Sequence, residues 1–205
     1  MPRLRFLLPL LLGCLPLVHA TSVIAPDFEN LVARTDYTVR VEVVAVTSSW
    51  RENPKDPAQR YIGTSVELRV LEVITGQPPS PLILEVMGGQ VGPDVMTVEG
   101  APVFRVGEES ILFVQGNGRQ VVPLTGMMHG FYPVRRDART GEARVLRCNG
   151  KLVYSEHDVM LPLGATSGVV MRNPRAKPLT TADFTARIRQ TAAALAEREV
   201  PDLLH

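Results

Sequence analysis

The side chains of this sequence best suited to chemistry are few: Cys148, His129, His157 and the run Glu156-His157-Asp158. A thiolate with two imidazoles is a ligand set that zinc accepts, but zinc clips place their ligands a few residues apart in pairs, and these three are scattered. They stand as weak candidate ligands, and no metal or other cofactor is expected. Glu156-His157-Asp158 sets an imidazole between two carboxylates, as a general acid or base requires. In extended chain, however, adjacent residues point to opposite sides, so the three need a turn to converge. No Gly-x-Ser-x-Gly elbow is present to activate a serine. Gly116-Asn117-Gly118 lacks the following helix and lysine of a phosphate loop and reads as a hairpin turn. No residue is assigned a catalytic role.

Contact chemistry is better represented. Met127, Met128 and Phe131 lie in a glycine-flanked run, Gly126 to Tyr132, where flexible thioethers and rings form either an adaptable contact surface or core filling. Arg135, Arg136, Arg139, Arg144 and Arg147 follow, and are expected to line one exposed hairpin. That hairpin would meet an acidic partner or an anionic envelope surface, or serve only as a solvated face. Cys148 either pairs with another molecule or packs as a small, half-buried hydrophobe.

The elements that must position these groups are mostly strands. Pro26 to Arg34 reads as a short helix, with Asp27 and Glu29 at its positive end and Phe28, Leu31 and Val32 on one side. Tyr37 to Val46 alternates first and then becomes apolar on both faces, as a strand does on leaving one sheet for another. Ser48 to Arg60, with two prolines and five charges, reads as a solvated loop. Val66 to Ile74 repeats the first strand, so that Arg40 and Glu42 would face Arg69 and Glu67 in an antiparallel pair. Leu82–Met87 is a third strand, and Pro93 to Val98 gives room for a short one. Ile111 to Val114 is apolar throughout and should be buried on both faces. Hairpins are expected at Gly116–Gly118 and Asp137–Gly141, and residues 156–178 look irregular. Thr180 to Asp183 is a capping box, opening an amphipathic helix with Phe184, Ile188, Ala192 and Leu195 on one side.

Together these predict a mainly β fold: a small OB-like closed barrel with extra hairpins, a short N-terminal helix and a C-terminal amphipathic helix. The barrel core would run from about residue 36 to 155 and the last helix from 180 to 199. An immunoglobulin-like sandwich is the alternative, weakened by the absence of a cysteine pair and by Trp50 lying in a charged stretch.

The ends and the charge balance set the location. Residues 1–20 read as a cleavable secretory signal: Arg3 and Arg5, an apolar run from Phe6 to Val18, then Val18-His19-Ala20 at the cut. The run is short for a membrane span and holds two prolines. Leu11 to Cys14 loosely resembles a lipobox, with a bulky Leu12. Cleavage after Ala20 leaves Thr21 to His205 as one β-rich domain, periplasmic or secreted, with no membrane span and Cys148 as its sole thiol. The whole chain has 22 basic and 21 acidic residues, and losing Arg3 and Arg5 brings the balance to 20 against 21. That gives no basic face for nucleic acid.

The order Phe28-x-x-Leu31-Val32-x-x-Thr35-Asp36, then Thr64-x-Val66-x-Leu68-x-Val70-x-x-Val73-x-x-Gly76, resembles a group of exported bacterial proteins of unassigned function. Gly88-Gly89 and Gly100-x-Pro102-x-Phe104-x-x-Gly107-Glu108-x-x-x-Leu112-Phe113 are also similar. The first half of those chains is loosely similar to the OB barrel of tissue inhibitors of metalloproteinases. The resemblance implies a fold alone: that family inhibits through an N-terminal cysteine backed by disulfides, and Thr21 here would be the first residue. The expected function is a non-catalytic binding or accessory module for a protein or peptide. The rivals are a hydrolytic or metal-dependent enzyme built on Cys148, His157 and Asp158, and a regulator of a co-secreted protease.

Overall fold

The computed structural model describes residues 25–53, 56–163 and 175–199. The expected leader, residues 164–174 of the stretch expected to be irregular, and His205 lie outside them. Asp27 starts helix α1 (Phe28–Ala33) by accepting the Asn30 N–H at 2.7 Å, as an N-cap carboxylate does. Eight strands follow: β1 (Tyr37–Asn53), β2 (Asp56–Gly76), β3 (Leu82–Met87), β4 (Gly89–Val91), β5 (Asp94–Met96), β6 (Glu109–Val114), β7 (Phe131–Arg136) and β8 (Ala143–Val145). Helix α2 (Thr181–Glu199) comes last, and 3-10 turns lie at Met127–Gly130 and Glu156–Met160. No helix among the described residues is long and apolar enough to cross a membrane.

The strands form one antiparallel sheet in the order β3-β2-β1-β6-β7-β8, with β4-β5 as a separate ribbon. This sheet is open, which overturns the expected closed barrel. A barrel needs a strand to close the gap beyond β3, and none among the described residues does. Gly116 and Gly118 do turn the chain, both with left-handed φ. The return leg then makes only an isolated bridge, Val114 to Leu124. The outer edge of β3 is instead met by single contacts: Asn117 Nδ2 donates to Ile83 O, Asn117 Oδ1 accepts Glu85 N–H, and Val121 O accepts Met87 N–H.

Burial on both faces of β6 is borne out, but it serves two cores rather than closure. Leu112 and Val114 join Val39, Val41, Val66 and Leu84 on one face. Ile111 and Phe113 join Tyr132, Phe28, Phe184 and Ile188 on the other, under the two helices. Phe184 is central there, with ring centroids 5.0 Å from Tyr132, 5.7 Å from Phe28 and 6.3 Å from Phe113. The capping box that opens α2 forms as expected: Thr180 Oγ1 accepts Asp183 N–H at 3.1 Å, and the Asp183 carboxylate accepts Thr180 N–H at 3.2 Å.

Two further expectations are corrected. β1 is buried at its start, not its end: Tyr37 to Val39 are buried, whereas Val44 is 49% exposed. Register steps leave Val44, Leu71 and Ile74 without cross-strand partners; such bulges coil the strands, so that Val44 and Leu71 turn outward while Ile74 is buried under the helices. The charged stretch from Ser48 to Arg60 is also no loop. β1 and β2 continue through it as a paired ribbon, Trp50 opposite Ile62 and Arg51 opposite Tyr61. Of the expected charge pairs, Glu42 meets Arg69, but Arg40 meets Glu72 (3.1 Å) and Glu109 (2.8 Å).

Candidate binding groove

The segment from Ala101 to Glu108 leads into β6 and is held to β1, where Gly107 N–H donates to Val43 O (2.9 Å) and Val43 N–H to Glu108 O (3.0 Å). Phe104 anchors it, buried edge-on against Phe131 with centroids 5.3 Å apart. Its apolar neighbours then have no core to enter, and Val103 and Val106 are each 64% exposed. Facing this segment, β7 alternates: Phe131 points to the Phe104 side, whereas Tyr132 joins the core under the helices.

Between the segment and β7 lies a solvent-open groove of about 710 Å³. It gathers Met128, Phe131, Arg135, Arg136 and Cys148 from among the candidates, along with Val103, Arg105, Glu108, Glu109 and Leu146. The turn at its end is locally strained. Gly126 and Met127 both have left-handed φ (64° and 57°), a conformation that costs a side chain such as methionine about 1–2 kcal/mol. Met127 N–H to Leu124 O (2.9 Å) and His129 N–H to Gly126 O (3.1 Å) hold it. The turn directs Met127 against the inner core and leaves Met128 in the groove.

The arginines divide. Arg136 meets Glu109 at 3.3 Å, and Arg144 meets Glu142 and Pro178 O. Arg139 lies outside the groove, in the turn held by Asp137, whose carboxylate accepts the N–H groups of Arg139 and Thr140. Those bonds, Thr140 first, hold the Asp137 carboxyl below its ordinary range. Arg135 and Arg139 are exposed and have no carboxylate partner among the described residues. Arg147 does not belong to the exposed hairpin at all. It is 4% exposed and donates to the carbonyls of Val159, Leu161 and Pro162, pinning the 3-10 turn beneath the sheet.

The metal candidates separate. His129 and Cys148 line one small cleft together with Arg147, whereas His157 stands exposed on the Glu156–Met160 turn. Burial lowers the His129 pKa, helped by the Arg147 charge, and burial raises the Cys148 thiol. Each is thereby favoured in its neutral form beside a fixed guanidinium. No group of three or more His, Cys, Asp or Glu side chains is placed to hold a metal among the described residues. The acid–imidazole run does turn, but its members have other partners: Asp158 accepts the N–H groups of Tyr154 (2.8 Å) and Ser155 (3.0 Å), and Glu156 pairs with Arg187 (3.2 Å). This arrangement caps a turn and holds α2; it does not assemble a proton relay.

Val103, Arg105 and Leu146 were missed as groove residues. The available signal was the run Val103-Phe104-Arg105, in which burial of the ring turns its immediate neighbours outward. The chain matches no protein-family model and no curated protein.

Proposed function

We propose that the protein is an exported, non-catalytic binding module that takes a protein or peptide partner in the groove beside β7. The observation that carries this reading is the pairing, in one solvent-open groove, of exposed Val103 and half-buried Met128 with Arg135, an exposed cation with no carboxylate partner among the described residues. Such a surface suits an extended segment with apolar side chains and one acidic residue set against Arg135. The adaptable methionine favours tolerance of side-chain shape over strict selection. Export rests on the leader-like first twenty residues.

Two measurements test the proposal. The full chain, expressed in a bacterial host and recovered from the periplasm, should begin at Thr21. An affinity pull-down from envelope extract should recover a protein that is lost with Arg135→Glu and with Val103→Asp. Recovery that neither substitution changes would move the binding surface elsewhere and end the groove assignment. Turnover of a substrate abolished by His129→Ala or Cys148→Ala would replace the binding reading with an enzymatic one.

A further inference from the structure

We propose a second site, separate from the groove, that binds a small ligand carrying a carboxylate or phosphate group on a partly apolar body. A cavity of about 610 Å³ opens at the end of β3, between the β1–β2 ribbon and the turn that follows β6. Its lining includes three arginines, Arg51, Arg60 and Arg119, against a single carboxylate, Glu85. In a chain whose basic and acidic residues number 22 and 21, that local excess of positive charge is out of proportion. A concave wall concentrates such a field and draws anions to it.

Each arginine is held differently. Arg51 is fixed on the ribbon by Ser65 Oγ (2.7 Å) and by Glu85, and Ser65 Oγ also donates to Glu85 at 3.0 Å. It fits there because residue 63 is glycine: a Cβ at Gly63 would lie 2.5 Å from Arg51 Cδ. Arg60 stands opposite Glu52 across the ribbon but forms no ion pair among the described residues, and it lies over the Trp50 ring, 5.4 Å from its centroid. That stacking orders a planar cation without neutralising it. Arg119 has its nearest acid, Asp36, at 3.8 Å and is 79% exposed, so its charge is largely available.

The rest of the lining is suited to a mixed ligand. Gln59 and Gln120 supply neutral donors, while Val86, Met87, Met96 and Val121 supply apolar surface. Guanidinium groups recognise carboxylate and phosphate by the same paired hydrogen bonds. The cavity is therefore suited to an oxyanion, and the experiment decides between the two headgroups.

The test is titration calorimetry on the full chain with phenyl phosphate, benzoate and neutral benzyl alcohol. Saturable one-site binding is expected for at least one anion, and the stronger of the two identifies the headgroup. The double variant Arg60→Gln/Arg119→Gln, both exposed positions, should weaken that binding roughly tenfold or more. Arg135→Gln in the groove should leave it unchanged. Gly63→Ala, which crowds Arg51, should weaken it while thermal unfolding shows the chain still folded. Absence of saturable binding by either anion, binding undiminished in the double variant, or equal binding of benzyl alcohol would each overturn the proposal.

Discussion

Strand β7 separates two surfaces made from similar residues. On one side Tyr132 is sealed among Phe113, Phe184 and Ile188, and burial pushes its phenol pKa upward. On the other, Phe131 is buried against Phe104 yet still borders an open groove with Met128 and Arg135. The arginines repeat the contrast. Arg147 is buried and its charge is met by three carbonyls, while Arg135, twelve positions earlier in the chain, has solvent around it. Residue type therefore says little here about role. What distinguishes the two surfaces is whether another element covers them: α2 covers the first, and no described segment covers the second.

Substitutions on the two sides put that contrast at risk. Phe184→Ala should have the largest effect, about 3–5 kcal/mol in urea unfolding, because it removes the ring on which three others rest. Arg147→Met comes next. It leaves buried carbonyls without donors, a loss of about 1–3 kcal/mol by the same measurement, and should loosen the Glu156–Met160 turn in amide exchange.

The third effect appears only in acid. Burial and Arg147 set the folded pKa of His129 below its ordinary 6.5. The unfolded chain therefore takes up the proton first, and stability is lost as pH falls below that value and levels off under the folded pKa. His129→Gln should flatten this part of the stability–pH curve, and an unchanged curve would show that the imidazole is not sealed. The smallest effect is expected on the groove side, where Arg135→Ala should change stability by less than about 0.5 kcal/mol. A loss there comparable to that of Phe184→Ala would show the groove to be core, and the contrast would fail.

Local patterns were the most legible. Leu82–Met87 is a strand with the expected bounds, the Thr180–Asp183 box opens α2, and the Asp137–Gly141 hairpin joins β7 to β8. In each case neighbouring residues carry the whole signal. The errors lie where distant segments decide. Alternation cannot tell a strand that closes a barrel from one that serves two cores, because Ile111 to Val114 reads the same in both. Pro57 and the charges around it suggested a loop, but pairing of Arg51 with Tyr61 and stacking of Arg60 on Trp50 extend the ribbon. Arg147 looked like its exposed neighbours because the carbonyls that bury it arrive from residues 159–162. Met128, Phe131, Arg135 and Arg136, singled out by side-chain type in two short runs, line the groove, whereas the residues of its opposite wall carry no such local signal.

Asn117 has an effect that extends beyond this one molecule. Its side-chain amide, like a peptide unit, carries both N–H and C=O, and it donates to Ile83 O while accepting the Glu85 N–H. The outer margin of β3 thus meets a counterfeit strand one residue long, reinforced by Val121. Without it, that margin would present unpaired peptide groups, the template on which a neighbouring polypeptide adds a strand.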